Sequence, residues 1–485
     1  MEDKTYPISK RIGLLAGPLV FFILIFFPFS NDLSVEANKV VAVAGLMLCW
    51  WITEAIPIAA TALVPMIFFP LTGVFDMKTA AAPYSSPIVY LFMGGFVIAL
   101  AMEKWNLHRR IALSIIKLTG TNANGIIWGF MLATALLSMW ISNTATAVMM
   151  LPIAGSVIGI LISGEQNKLS KGQKNFALTI MIGIAYAANI GGIATLVGTP
   201  PNVVFRGFME TTYQIEVPFA TWMLVGFPYA ALFLVVAFFV LVKLMYPNNL
   251  GKFEGSGELI SEEYKKLGPM SKQEKQTALI FFLTAFFWVF RTQIDPLLPF
   301  IELSDPTIAM FAALTVFFIP YGFKNGDFLL EWNDTSKLPW GILLLFGGGL
   351  SLAGAMQQTG IIDFIGKAIA ENNQLGNLAV ISILIAVMLF MTEVMSNVAL
   401  VTVLLPVVGG IAQGLGVQPL LAAIPVTIAS SCAFMLPMAT PPNAIVFASG
   451  HIKVSQMVRA GFILNVLAIL LLIAMYQTVI PWVFK

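Results

Sequence analysis

Apolar and polar positions in this chain do not alternate finely; they separate into long apolar blocks divided by short polar connections. Runs such as Ile12 to Phe29, Val40 to Trp51 and Phe462 to Trp482 recur from end to end. Spanning a hydrocarbon layer takes about 20 residues of helix, fewer where a segment is short or partly interfacial. The pattern predicts an all-α polytopic membrane protein of about eleven transmembrane helices plus two re-entrant hairpins.

The block Gly125 to Ile162 is about two helices long and reads either as a pair of spans or as a hairpin. Its middle carries Ser138, Ser142, Asn143, Thr144 and Thr146. Polar, irregular backbone at membrane depth is tolerated only where it is buried in protein or lines a cavity, which favours the hairpin. Both readings return the chain to the side it left.

Composition agrees with the pattern. With 58% hydrophobic and 10% charged residues in 485, the chain has too little polar surface to coat a soluble globule. Lys4, Lys10 and Arg11 precede the first apolar run as in a secretory signal, but the run is long and no clear small-residue cleavage site follows, so a retained first helix is expected. The charges number 26 basic and 24 acidic and form no basic stripe, which argues against a nucleic-acid partner. Cys49 and Cys432 both sit in apolar stretches, which gives no basis for a disulfide or a cysteine metal site.

The Lys/Arg-rich connections are Lys104 to Arg110, the loop with Lys168, Lys171 and Lys174, the stretch Lys243 to Lys275, and Lys324 to Lys337. The positive-inside rule places them in the cytoplasm. Connections poor in Lys and Arg, including Gly207 to Pro218 and Asp295 to Asp305, are expected outside, with the N-terminus cytoplasmic and the C-terminus extracellular.

An internal repeat organises the blocks. Leu91, Phe92, Gly94, Gly95, Ala99, Ala101 and Met102 return as Leu345, Phe346, Gly348, Gly349, Ala353, Ala355 and Met356, at a constant offset of 254 that also carries Ser142-Asn143 onto Ser396-Asn397. Thr199-Pro200-Pro201-Asn202 returns as Thr440-Pro441-Pro442-Asn443, at offset 241. Glycine pairs alone would be ordinary helix-packing devices. Motifs kept in order and spacing are a duplication. The apolar blocks between the two glycine segments read as four crossings, and an even number makes the repeats inverted, an architecture of secondary transporters.

A proline pair removes two backbone donors and clashes with the preceding turn, so each Pro-Pro should unwind its helix. Unwinding frees carbonyls near Gly198 and Ala439 for a small hard cation, and half-helix N-termini favour an anion. The bland alternative is that the serines and threonines bond back to the preceding turn and the prolines only kink helices. Glu54, Glu393 and Arg206 are further charged candidates in or near the membrane, for which helix-end, hydrogen-bonded and snorkelling roles compete with functional ones. His108 and His451 read as orientation signals in basic loops. An ion channel would need a continuous pore lined by charged or carbonyl rings, and an enzyme an activated nucleophile or metal site; neither His nor Cys lies near the motifs, so no catalytic residue is expected.

The paired Ser-Asn motifs, the paired Thr-Pro-Pro-Asn and the string Trp50-Trp51-Ile52-Thr53-Glu54-Ala55-Ile56-Pro57 resemble the divalent anion:sodium symporter family over essentially the whole chain. The resemblance implies a homodimer in lipid, with scaffold and elevator-type transport domains, moving dicarboxylates, citrate or sulfate by sodium symport or, in some members, sodium-independent exchange. It implies a first transmembrane helix in 1–37, repeat 1 in 38–246 with scaffold helices to about 120, a cytoplasmic connection in 247–275, and repeat 2 in 276–485 with scaffold helices to about 372. Ser142, Asn143, Thr144, Ser396, Asn397, Val398, Thr199, Pro200, Thr440 and Pro441 take the substrate-binding positions. Ser138, Ser142, Asn143 and Gly198 match one sodium site; Thr392, Asn397 and Ala439 match the other. Beyond sodium as coupling ion, no cofactor is implied. Val398 and Leu400 depart from the doubled pattern, where the first half has Thr144 and Thr146, and this makes the second hairpin the more apolar. The expectation is a plasma-membrane carrier of four- or five-carbon dicarboxylates.

Overall fold

Helices form where the apolar blocks predict them. The computed structural model describes residues 7–162, 169–251, 256–322, 326–372 and 375–484; Lys4, Lys168 and Lys324, counted above toward orientation, lie outside them. The chain opens with α1 (Ile8–Phe26) and α2 (Val35–Thr53), then short α3 (Ile58–Thr61), α4 (Val64–Thr72) and α5 (Met77–Ala81). There follow α6 (Pro87–Lys104), α7 (Leu107–Leu118), α8 (Ala123–Ser138), α9 (Asn143–Ile162), α10 (Lys171–Ile193), α11 (Pro200–Tyr213) and α12 (Phe219–Phe239). A polar helix α13 (Ser256–Lys266) leads to α14 (Lys272–Ile294) and α15 (Asp305–Phe318), and a two-stranded pair, Pro320–Gly322 with Asp327–Phe328, precedes the second series. That series is α16 (Trp340–Gln358), α17 (Ile361–Asn372), α18 (Asn377–Met391), α19 (Asn397–Gly414), α20 (Pro419–Ser430), α21 (Pro441–Phe447), α22 (Val454–Gln477) and α23 (Val479–Val483).

The duplication read in the motifs extends to the helix boundaries. Helices α6, α7, α8 and α9 recur as α16, α17, α18 and α19, each beginning 254 positions later to within one residue. Side-chain caps fix several starts: Ser34, Asp76, Asn122, Ser170, Ser271 and Ser304 each accept from the backbone N–H three residues on, an interaction worth about 1 kcal/mol each.

Among the described residues, nine helices are long and apolar enough to cross a membrane, and shorter apolar helices, α8, α15, α18 and α20 among them, accompany them. The chain is a multi-pass membrane protein. Burial separates the layers: the apolar window of α10 is 100% buried and that of α1 only 17%, so α10 runs through the centre and α1 along the periphery. Leu15, Leu19, Phe22 and Phe26 on α1 and Phe282 and Phe290 on α14 are exposed, which is how a lipid-facing surface is built.

Local corrections have clear physical reasons. The helix begun at Pro200 runs to Tyr213, so the connection expected from Gly207 starts only at Gln214, which takes a left-handed cap. His108 and Arg110 are buried on the inner face of α7; Arg110 pairs with Glu274 on α14, and its guanidinium also donates to the Gly268 carbonyl at 3.0 Å. Glu54 is an exposed left-handed cap closing α2, with Lys10 Nζ 3.5 Å away. In the polar connection, a hydrogen bond from Lys266 holds the Glu263 carboxyl below the usual range, and Arg109 pairs with it from α7.

Candidate functional site

Both helices preceding a Thr-Pro-Pro-Asn motif break. Helix α10 ends at Ile193 and α11 begins at Pro200; α20 ends at Ser430 and α21 begins at Pro441. Each proline pair occupies the first two positions of a new helix, where a missing N–H costs nothing and the fixed φ suits the turn. The prolines start helices here instead of kinking them.

The asparagine of each motif holds the break together. Asn202 Nδ2 donates to the Thr195 carbonyl at 2.8 Å and to those of Gly192 and Ile193 at 3.3 Å. Asn443 Nδ2 repeats this toward Ala433 and Leu436, both at 3.1 Å. Backbone released by unwinding is thereby satisfied, as burial requires. This clamp was not read from the sequence, which treated these amides only as flanking polar groups.

The other side of each break differs between the repeats. Thr195 Oγ1 donates to the Met139 carbonyl at 2.5 Å. At the position matching Met139, Glu393 is buried and accepts from the N–H groups of Phe434 (2.8 Å), Met435 (2.9 Å) and Leu436 (3.1 Å), and from Asn465 Nδ2 (2.7 Å). Glu393 is a hydrogen-bonded anchor of the second break.

The hairpin tips face these breaks. Ser138 Oγ lies 2.6 Å from Asn143 Oδ1 and 2.8 Å from the Ala188 carbonyl on α10. Thr392 Oγ1 lies 2.7 Å from Asn397 Oδ1 and 2.7 Å from the Ser430 carbonyl on α20. A hydroxyl has one proton. Given to the helix carbonyl, it leaves the hydroxyl oxygen and the amide oxygen side by side as two ligands for a hard cation. Thr134, Thr284, Thr315 and Thr427, by contrast, bond back to their own helix four residues earlier; the bland reading holds for them and fails at Ser138 and Thr392.

Gly192 brings Gly198 to the first tip. A Cβ placed on Gly192 would lie 2.6 Å from Asn143 Oδ1 and 3.1 Å from the Gly198 carbonyl oxygen, so two of the oxygens expected to ligate sodium converge beside a residue with no side chain. Ser142 Oγ caps α9 by accepting from Ala145 N at 3.2 Å, whereas Ser396 makes no side-chain cap on α19. Ala439 is buried in the second break. Thr144 and Val398 sit in the first turns of α9 and α19, and Thr199 and Thr440 are buried N-caps of α11 and α21. The helices interlock: α11 packs on α19 and α21 on α9, each Pro-Pro helix against the hairpin of the other repeat.

Arg206 neither snorkels nor points to an anion site. It is 2% exposed and pairs through Nη1 with Asp305 Oδ2 at 2.6 Å, Asp305 being wholly buried. Arg291 Nε stands 3.1 Å from Asp305 Oδ1, Arg291 Nη2 donates to Glu216 at 2.7 Å, and Phe219 N donates to Asp305 Oδ2 at 3.1 Å. The network ties α11 and the start of α12 to α14 and α15.

Residues 9–484 match the family described as "Sodium:sulfate symporter transmembrane region". The chain belongs to that family. Its relatives include the sodium-dependent dicarboxylate transporter SdcS of Staphylococcus saprophyticus, 36% identical over 99% of this chain and 93% of the relative. The SdcS of Staphylococcus aureus is 37% identical over the same shares. Two solved structures share the fold. The Alcanivorax borkumensis YdaH transporter aligns with TM-score 0.59 at 12% identity over 97% of this chain and 98% of that one. Neisseria gonorrhoeae MtrF aligns with TM-score 0.54 at 12% identity over 98% and 95%. Members of this family are transporters.

Proposed function

We propose that this protein is a sodium-coupled secondary transporter of four- and five-carbon dicarboxylates such as succinate, malate, fumarate and 2-oxoglutarate. The observation that carries the reading is the pair of matched hydroxyl–amide contacts, Ser138 with Asn143 and Thr392 with Asn397, each set against a broken helix. Two cation positions of equal chemistry suit a symporter that neutralises a doubly charged cargo. Ser142, Asn143, Gly198 and Ser138 make the first sodium position; Thr392, Asn397 and Ala439 make the second. The carboxylates lie between the hairpin tips, with Ser142, Asn143, Thr144, Ser396, Asn397 and Val398 on one side and Thr199, Pro200, Thr440 and Pro441 on the other. The relatives named as sodium-dependent dicarboxylate transporters support the choice of cargo and ion. In this reading the protein is a homodimer in the plasma membrane, N-terminus cytoplasmic and C-terminus extracellular. The hairpins and broken helices move as one body past the scaffold helices in an elevator motion.

Succinate counterflow in proteoliposomes tests the coupling. Uptake should require sodium; equal counterflow with and without it would make the protein a sodium-independent exchanger. Sulfate is the second reading, because the family description names it. Sulfate and citrate competition against succinate uptake discriminates the cargo, and succinate should be preferred.

Gly192→Ala supplies a local test. The added methyl would press on Asn143 and the Gly198 carbonyl, so the sodium concentration for half-maximal uptake should rise roughly tenfold, as for disturbed metal sites. An unchanged sodium dependence would remove Asn143 and Gly198 from the ion site.

A further inference from the structure

Asn189 belongs to no motif, yet its surroundings assign it a task. It lies on fully buried α10, is itself 1% exposed, and carries an amide where an apolar side chain would cost less, so its hydrogen bonds must repay the burial. Among the described residues, the acceptors its side-chain NH2 meets come from the other repeat. Nδ2 stands 3.1 Å from Thr440 Oγ1, 3.3 Å from the Ala433 carbonyl oxygen and 3.5 Å from Asn443 Oδ1.

The direction of these hydrogen bonds follows from groups that have no choice. The carbonyls of Ala433 and Leu436 only accept, so Asn443 turns its NH2 to them and its Oδ1 toward Asn189. Facing a carbonyl and an amide oxygen, Asn189 presents its own NH2. Its two protons go to the two nearest acceptors, Thr440 Oγ1 at 3.1 Å and the Ala433 carbonyl at 3.3 Å, with Asn443 Oδ1 farther off at 3.5 Å, so Thr440 Oγ1 accepts from Asn189. It also accepts from the backbone N–H of Asn443 at 3.4 Å, as the cap of α21. A hydroxyl has two lone pairs and one proton, so with both lone pairs engaged Thr440 can only donate.

We propose that Asn189 is a positioning residue that makes Thr440 an obligate hydrogen-bond donor to the anionic cargo. The inference rests on the transport reading above, in which Thr440 lines the substrate site. It explains how a site without Lys or Arg commits a hydroxyl to a carboxylate and withholds it from sodium. The two repeats are unequal in this respect. Ser430 stands where the 241 offset would place a second asparagine, and its hydroxyl bonds back to the Thr427 carbonyl at 2.6 Å; Thr199 has no side-chain cap contact of the kind Thr440 makes. The second repeat's threonine is thus the oriented carboxylate donor.

The test is succinate binding to the purified full-length protein, by calorimetry at saturating sodium, for Asn189→Ala, Thr440→Val and the double variant. Asn189→Leu keeps the volume without the donor and replaces Asn189→Ala if the smaller side chain prevents folding. Each single variant should raise the succinate Kd about tenfold, the scale of one hydrogen bond to a charged group, while the sodium concentration for half-maximal binding changes less than about twofold. In the Thr440→Val background, removing Asn189 should add almost nothing, because the oriented hydroxyl is already gone. Additive losses, or an unchanged Kd in both Asn189 variants, would overturn the assignment and leave the transport reading standing. A native protein that binds none of succinate, citrate or sulfate would overturn the transport reading, and this inference with it.

Discussion

Asn143→Ala and Asn397→Ala should each reduce sodium-driven succinate uptake to background in proteoliposomes while the protein still purifies as a folded particle. Each asparagine supplies the amide oxygen that stands against a hydroxyl, 2.6 Å from Ser138 and 2.7 Å from Thr392. In the proposed reading, removing it takes away an ion ligand and a substrate contact at once. The loss should exceed the roughly ten- to hundredfold typical of groups that only support a ligand. Folding should survive because both residues begin helices at partly exposed tips, where alanine leaves no buried charge. Asn397 is followed by Val398 and Leu400, so the second tip has fewer neighbouring hydroxyls than the first, which keeps Thr144 and Thr146. Near-native uptake by either variant would remove that half-site from the mechanism.

Asp305→Ala should have the largest effect on stability. Asp305 is wholly buried, with Arg206 Nη1 at 2.6 Å, Arg291 Nε at 3.1 Å and the Phe219 N–H at 3.1 Å. Breaking a buried pair from one side leaves a guanidinium without its counter-charge, at a cost of about 3–5 kcal/mol. Arg206 would bear most of it, since at 2% exposure it cannot reach water and keeps Glu216 only at 3.6 Å, while Arg291 keeps Glu216 at 2.7 Å. Thermal unfolding followed by intrinsic fluorescence in detergent should shift strongly downward, and Asp305→Asn, which still accepts from Phe219 N, should fall between. A variant as stable as the native protein would mean that the network is balanced by groups outside these five residues.

The helices, the duplication and the candidate motifs were legible in the sequence because each leaves a one-dimensional trace. Apolar blocks of membrane length have no soluble alternative, and a constant offset between Ser142-Asn143 and Ser396-Asn397 survives any packing. Proline pairs announce a helix boundary by their missing donors. Partner choice left no such trace. Arg206 and Asp305 are 99 residues apart, and nothing local says that one charge will neutralise the other. Glu393 reads the same whether it is a proton relay or the acceptor of three backbone N–H groups. Asn189 had only a weak signal, a single amide in the apolar stretch Ile180 to Ile193.

The sequence by itself determined that this is a duplicated, all-helical membrane protein with two Ser-Asn tips and two interrupted helices, because hydrophobic length, repeat offset and proline chemistry act along the chain. Only the tertiary structure decided which hydroxyl donates to which carbonyl. It also decided that the Thr-Pro-Pro-Asn amides clamp the breaks and that Asn189 of one repeat reaches Thr440 of the other. Hydrogen-bond direction depends on which acceptors surround a group in space, and in a buried, interlocked pair of repeats those acceptors come from residues some 250 positions away.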